Sequence, residues 1–269
     1  MKKNKIILFK ILIISCLSIT IISCKKEISL SLRTVEPILV VEANIGEGGE
    51  ALVKLTQTRG FYEPNIFPPV TDAVVTLSNN LGESENLIVV GDSIYSSREI
   101  KGIQNTIYYL SINYKNKTFT ASSTLHSPVP IDSVVAKLIR PDFPPYFQVY
   151  WQDPKGKEID YYRFRVFIND SIEVKQNFIT SADVYDGEYL STIIMIGDHN
   201  SKDKTIFSPG DTIRFDMQTL DKAAGEYFTF LNDHSKTNPP TNISGGALGY
   251  FNAYSVSSTK VVAPYWEKK

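Results

Sequence analysis

From residue 36 onward, apolar and polar side chains alternate in short segments that turn-forming residues separate. Val53 and Leu55 alternate with Lys54 and Thr56, a period of two that is typical of a half-buried strand. The same alternation in residues 161–169 places aromatic and aliphatic side chains on one face and two arginines on the other. We predict strands at residues 37–45, 51–58, 73–78, 87–90, 93–96, 106–114, 118–124, 131–139, 146–152, 161–169, 190–196, 212–218 and 249–262.

One segment departs from this period and predicts a helix. Its apolar residues recur at helical spacing and are Ala224, Tyr227, Phe228 and Leu231. Asp221 precedes them and is a residue type that caps helix N-termini. Gly225 weakens such a helix by up to about 1 kcal/mol relative to alanine. We therefore predict one short helix near residues 221–234.

The strands fall into two series, divided at the H-S-P-V-P segment of residues 126–130. The first series has short strands with regular turns, which is the signature of a β-sandwich. In the second series, a strand that carries Trp151 precedes a tyrosine-rich strand, and this order resembles fibronectin type III packing. We predict an all-β chain of two consecutive antiparallel β-sandwiches. The first, at 36–126, is immunoglobulin-like or transthyretin-like, and the second, at 131–265, is fibronectin type III-like with the helix inserted.

The first 23 residues have a different pattern from the rest of the chain. Four lysines lie within the first ten residues, and the 12 residues from 11 to 22 carry no charge. A helix needs about 20 apolar residues to cross a bilayer. The apolar region of a secretory signal needs only about 7–15 residues behind a positive start. We predict a signal peptide at residues 1–23 and a polar tether at residues 24–35.

The I-I-S-C segment at residues 21–24 resembles a bacterial lipobox. The resemblance implies cleavage before Cys24, a diacylglycerol on its sulfur and a fatty acyl group such as palmitate on the new amino terminus. Cys16 lies in a similar segment, but cleavage there would leave a very short apolar stretch upstream. Several acyl chains, each contributing roughly 0.8 kcal/mol per buried CH2, hold a protein durably on a membrane. The alternative is an ordinary signal peptide or anchor helix in which the cysteine is incidental.

Removal of the signal would change the charge and the cysteine content. The signal holds four of the 28 basic residues and none of the 29 acidic ones, so the mature net charge is −5. This balance excludes the basic face that nucleic acid requires. Both cysteines lie at or before the cleavage site, so the mature fold has no disulfide. Because no aspartate follows Cys24, we predict a lipid anchor in the outer membrane, on either its periplasmic or its surface face.

The sequence offers little that points to catalysis. Its histidines, His126, His199 and His234, are dispersed and lack the spacing of a zinc site. A G-x-S-x-G motif is absent, and residues 183–188 cluster three carboxylates without the full pattern of a calcium loop. We predict no catalytic residue, no metal and no cofactor. The enzymatic alternative is a hydrolase with paired carboxylates, whose separation the sequence does not give.

Two aromatic segments are candidates for contact with a partner. The first lies between prolines at residues 59–70, and the second follows two glycines at residues 248–251. Prolines reduce the conformational entropy lost on binding, and aromatic rings supply large contact areas. The predicted binding residues are Phe61, Tyr62, Phe67, Tyr250 and Phe251. The alternative interpretation is that these side chains cover the ends of the sandwiches.

The order of several blocks along the chain is also informative. They read I-L-V-V-E-A-N-I, P-P-V-T-D-A-V-V-T-L-S-N-N-L-G, Y-Y-L-S-I-N-Y, P-V-P-I-D-S-V, Y-Y-R-F-R-V-F-I-N-D and N-I-S-G-G-A-L-G-Y-F-N-A-Y-S. With the lipobox, they resemble the Bacteroidota outer-membrane lipoproteins known as domain of unknown function 4249, which have no established activity. Members are often encoded beside TonB-dependent outer-membrane receptors. The resemblance implies an accessory binding protein that assists a TonB-dependent transporter in nutrient uptake at the cell surface. The alternative is an autonomous adhesin or glycan-binding lipoprotein that uses platforms such as Tyr62 and Phe67.

Overall fold

The computed structural model describes residues 36–60, 63–64, 66–140, 144–156, 161–174, 176–182, 185–197, 206–232 and 238–266. In this part of the chain the fold is all-β with one short helix. The elements are β1 (Leu39–Gly46), β2 (Glu50–Gln57), β3 (Val74–Asn79), β4 (Ser84–Asn86), β5 (Ile88–Gly91), β6 (Ile94–Lys101), β7 (Thr106–Tyr114), β8 (Lys117–Leu125), β9 (Ile131–Lys137), β10 (Tyr146–Gln152), β11 (Tyr161–Ile168), β12 (Ile172–Glu173), β13 (Phe178–Ser181), β14 (Tyr189–Ile194), β15 (Thr212–Leu220), α1 (Lys222–Asn232) and β16 (Leu248–Val262).

Each predicted strand has a counterpart, with ends shifted by a few residues. The predicted helix is confirmed as α1. The sequence analysis missed β4, β12 and β13, which have three, two and four residues and are too short for a period of two to be recognised. The predicted signal peptide and tether lie outside the described residues. Among the described residues, no helix is long and apolar enough to cross a membrane.

The described strands form three sheets that make two sandwiches with a common layer. The long sheet has the order β12-β11-β15-β16-β1-β2-β6-β5, with β13 beside β11. A four-stranded sheet, β4-β3-β7-β8, packs its apolar face against the β1 and β2 region and encloses the first core. A three-stranded sheet, β14-β10-β9, packs against β11 and β15 and encloses the second core. Burial of apolar side chains between such layers is what stabilises a sandwich.

The second core is built around Trp151, as the sequence pattern indicated. The Trp151 ring lies 5.1 Å from the Tyr162 ring in an edge-on arrangement and 5.5 Å from the Phe164 ring. All three side chains are almost completely buried. The Tyr162 hydroxyl donates a hydrogen bond to the buried carboxylate of Asp153. The tyrosine-rich strand therefore supplies both apolar contact area and a partner for a polar group that would be costly to bury alone.

The last strand, β16, joins the two sandwiches. Its first half pairs in parallel with β1, from Val40 opposite Leu248 to Gly46 opposite Tyr254. Its second half pairs antiparallel with β15. The other pairs of neighbouring strands described in the three sheets are antiparallel, as predicted. Residues from Glu36 onward cluster as one compact unit, and the boundaries 36–126 and 131–265 stay a prediction.

Candidate binding surfaces

The predicted sites fall partly outside the part of the chain that can be described. Three of them, Cys24, Phe61 and Tyr62, lie outside the described residues, so their roles stay predictions. Phe67 is exposed, and the guanidinium of Arg59 lies 5.8 Å from the centre of its ring. The backbone beside Phe67 is fixed to β2, because the amide of Gln57 donates a hydrogen bond to the carbonyl of Pro68. Phe67 is therefore presented to solvent from a segment that β2 anchors.

The second aromatic segment, predicted to contact a partner, is largely covered by the fold. Tyr250 and Phe251 lie within strand β16, and Phe251 is fully buried in the first core. The ring of Tyr250 lies 4.8 Å from that of Tyr227 and 4.9 Å from that of Phe228, beneath α1. Strand β16 begins at Leu248, and its residues alternate between the two faces of the long sheet. Phe251 is therefore a residue of the first core, and Tyr250 packs against the cluster beneath α1.

Helix α1 is fixed to the sheets through one carboxylate. The Asp221 carboxylate accepts a hydrogen bond from the amide of Ala224 at 2.9 Å, which confirms the predicted N-cap. Its other oxygen accepts hydrogen bonds from the amide of Thr124, at 3.0 Å, and from the hydroxyl of Ser123. The Ser123 oxygen in turn accepts from the amide of Ala253 on β16. Asp221 therefore connects α1, β8 and β16.

Gly225 has a role that the sequence analysis interpreted only as a weakness of the helix. A Cβ atom at this position would lie 2.0 Å from Cγ of Tyr161. Glycine therefore allows α1 to approach β11 closely enough to cover Tyr161 and Leu220. The loss of helix propensity, up to about 1 kcal/mol, is offset by this closer packing.

The tyrosines beneath α1 predict a loss of stability in alkali. Burial raises the pKa of Tyr227 to about 12 and also raises the pKa of Tyr250, against an ordinary value of 10.0. The folded state thus disfavours the phenolates. The contribution of the neutral tyrosines to the free energy of unfolding is therefore complete below about pH 10 and is lost as pH rises towards 12. We expect Tyr227→Phe to unfold at a higher pH than the unmodified chain.

Circular dichroism against pH, with phenolate absorbance followed in parallel, checks this expectation. Tyr265→Phe is the matched control, because it removes a hydroxyl from an exposed ring. The alkaline midpoint should move for Tyr227→Phe and stay in place for Tyr265→Phe. Equal midpoints for all three chains would show that the aromatic cluster does not couple folding to ionisation.

The outward side of β9, β10 and β14 presents several exposed apolar side chains. We name it the aliphatic–aromatic face, and its residues are Val135, Tyr150, Tyr189, Ile193 and Met195, of which Met195 directly follows β14. The register places Val135 and Ile193 on either side of Gln148. Tyr150 is half-buried, and the other four side chains are exposed. Asp132 and Lys137, both on β9, are the charged residues of these three strands.

Contacts within this face hold its side chains in place. The rings of Tyr150 and Tyr189 are stacked, with 6.1 Å between centres and 17° between planes. The Lys137 ammonium donates a hydrogen bond to the Gln148 side chain, whose amide donates to the hydroxyl of Ser191 at 3.1 Å. A surface whose rotamers are already fixed loses less entropy when a partner binds.

The described residues give no support to the hydrolase alternative. No group of three metal-binding or acidic side chains is found among them. A cleft of 480 Å³ beside β1 has one carboxylate, Glu36, and a groove of 380 Å³ on the four-stranded sheet has none. Glycoside hydrolysis requires two carboxyl groups across one cleft. The expectation that the chain is not an enzyme stays a prediction.

Comparison with known proteins identifies a family. The family model described as "Domain of unknown function (DUF4249)" matches residues 25–260. None of the curated proteins matches the sequence. Among solved structures, the FN1–FN3 domains of chicken CNTN1 align at 13% identity with a TM-score of 0.31, over 85% of this chain and 65% of that one. A structural similarity of this size does not define a fold.

Proposed function

Since the chain belongs to the DUF4249 family, whose model matches residues 25–260, we propose that it is an accessory binding protein of the outer membrane. In this proposal, lipid on Cys24 anchors the protein, and the folded part docks onto a TonB-dependent transporter and helps it to capture a nutrient. The lipobox at residues 21–24 supports the anchor. The aliphatic–aromatic face is the observation that supports docking to a protein.

The composition of this face favours a protein partner over other ligands. The centres of protein–protein interfaces are enriched in aromatic residues and methionine and are depleted of charge. Tyr189, Ile193 and Met195 are exposed together here, and the three strands carry two charged residues, Asp132 and Lys137. Exposed apolar patches of this kind mark interaction sites on soluble domains. The preformed Tyr150–Tyr189 stack suits an anchor at the centre of such an interface.

Ile193→Asp tests the proposal by placing a charge at the middle of the face. We expect the substitution to weaken capture of the transporter at least about 30-fold, because an unpaired charge buried in an interface costs about 2 kcal/mol or more. The full chain, with its native signal and an affinity tag at its C-terminus, is extracted from membranes, and its partners are identified by mass spectrometry. The same experiment reads the mass of the N-terminal peptide.

Leu52→Asp is the matched control for this variant. Leu52 is 49% exposed on β2 of the long sheet, and Ile193 is 51% exposed. The control should retain a stoichiometric β-barrel transporter, and Ile193→Asp should lose it. An acylated Cys24 with no transporter on the unmodified chain would contradict the docking proposal and favour the autonomous adhesin. An unmodified N-terminus that has not been cleaved before Cys24 would contradict the anchor.

A further inference from the structure

A second surface, on the opposite sandwich, has a different chemistry from the docking face. The outward side of the four-stranded sheet carries a groove of 380 Å³. Its floor is formed by alternate residues of β3, β7 and β8. These floor residues are Thr76, Ser78, Tyr109, Ser111, Thr120 and Ser122. Five of the six carry an aliphatic hydroxyl, and the sixth is a tyrosine.

The strand register arranges these hydroxyls in two rows across the sheet. Thr76 lies opposite Ser111, and Ser111 lies opposite Thr120. Ser78, Tyr109 and Ser122 form the parallel row. Neighbouring strands are about 4.8 Å apart, and residues two apart on a strand are separated by about 7 Å. The floor is therefore a regular array of hydroxyls, each able to donate one hydrogen bond and accept two. The Thr76 hydroxyl already donates to the Asn86 side chain at 2.8 Å.

One wall of the groove is a loop segment that is fixed in place. The amide of Ser244 donates a hydrogen bond to the carbonyl of Thr120 at 2.7 Å. The side chain of Asn242 exchanges two hydrogen bonds with the backbone of Phe251, at 2.8 and 2.9 Å. The wall is thus held against both β8 and β16. A preformed groove keeps the entropy of ordering small when a ligand enters.

The charge and the aromatic content of the groove define its ligand. None of the described residues that line it is charged at neutral pH. Phosphates, acidic sugars and charged peptides would therefore lose their hydration without gaining an ion pair. A long apolar ligand would leave the hydroxyl rows without partners. Tyr109 is 44% exposed and presents an aromatic ring at the centre of the floor.

Neutral carbohydrate satisfies both parts of this surface. A sugar ring has hydroxyls around its edge, which pair with hydroxyls and amides, and an apolar C–H face, which packs on an aromatic ring. We infer that the groove is a binding site for a neutral oligosaccharide, with Tyr109 as its stacking platform and the two hydroxyl rows as its hydrogen-bonding partners. This site is separate from the docking face, and the inference does not depend on a transporter. It also differs from the glycan platform predicted at Tyr62 and Phe67.

The substitutions at position 109 separate stacking from other effects. The purified full chain in detergent, without any transporter, is applied to an array of neutral and acidic oligosaccharides. We expect retention on one or more neutral glycans, with Tyr109→Phe binding within about threefold of the unmodified chain and Tyr109→Ala at least tenfold weaker, or about 1.4 kcal/mol. Ser111→Glu should also abolish retention, because it puts a charge beside the ring.

Two control variants keep the outcome unambiguous. Tyr265→Ala removes an exposed ring elsewhere, and Ile193→Asp disrupts the docking face, so both should bind glycan as the unmodified chain does. Thermal unfolding of each variant confirms that it is folded. No retention on any neutral glycan, a preference for acidic glycans, or binding that Tyr109→Ala leaves unchanged would overturn the inference. Glycan binding by the purified chain supports the inference whether or not the pull-down finds a transporter, so the two proposals fail independently.

Discussion

Gly249→Ala is expected to lower the free energy of unfolding by more than about 4 kcal/mol, enough to remove most of the stability of an ordinary domain. A Cβ atom at this position would lie 1.8 Å from the carbonyl oxygen of Val41. The Cβ atom is attached directly to the backbone and the carbonyl oxygen is part of it, so neither can rotate away. Val41 and Gly249 are paired in the parallel ladder of β1 and β16. Relief of the contact would require separation of the strands that connect the two sandwiches.

Gly246→Ala is the matched control for this substitution. Gly246 also has a positive φ, +86° against +102° at Gly249, but a Cβ atom there would meet nothing within 4 Å. Its replacement should therefore cost only the backbone strain, about 1–2 kcal/mol. Chemical denaturation of both variants measures the difference. If both variants lose the same free energy of unfolding, close contact between β1 and β16 does not restrict the residue type at position 249.

Asp221→Ala is expected to cost about 4 kcal/mol of stability or more. The variant loses an N-cap, which contributes about 1 kcal/mol. It also removes the acceptor for the Thr124 amide and the Ser123 hydroxyl, and hydrogen bonds to a charged group contribute about 1.5–3 kcal/mol each. Because the carboxylate joins α1, β8 and β16, its loss affects both sandwiches.

Asp221→Asn distinguishes the cap from the connection to β8. Asparagine caps helices as well as aspartate does, but the NH2 group that replaces its second oxygen cannot accept a hydrogen bond from the Thr124 amide. We expect a loss of about 2 kcal/mol for Asp221→Asn, between the unmodified chain and Asp221→Ala. Urea denaturation followed by tryptophan fluorescence gives both values. An asparagine variant as stable as the unmodified chain would show that only the cap matters.

The strands could be predicted because burial on one side of a sheet imposes a period of two. Residues 106–114 and 146–152 are strands with the same ends in the sequence analysis and in the structure. Their partners could not be predicted in the same way. The parallel pairing of β1 with β16 joins residues about 200 positions apart, and alternation fixes the face of a residue without fixing its neighbour.

The candidate surfaces were harder to predict than the strands for a related reason. Ile193 and Ile194 are adjacent and equally apolar, so the sequence does not show which of them faces the core. The structure shows that Ile194 is buried and Ile193 is exposed. The groove depends on three strands and the segment that contains Ser244, whose bridge to Thr120 spans distant parts of the chain. Tyr250 and Phe251 fall within the predicted strand 249–262, and the sequence alone does not show that α1 and the four-stranded sheet cover them.

Photo-cross-linking in whole cells tests the central claim, that the aliphatic–aromatic face docks onto a transporter, most directly. A photoreactive phenylalanine analogue replaces Ile193 in one chain and Leu52 in another, since both side chains are exposed on strands of different sheets. Mass spectrometry identifies the adducts of each chain. The account predicts a β-barrel transporter adduct from position 193 and none from position 52. The absence of a transporter adduct from position 193, or equal adducts from both positions, would contradict it.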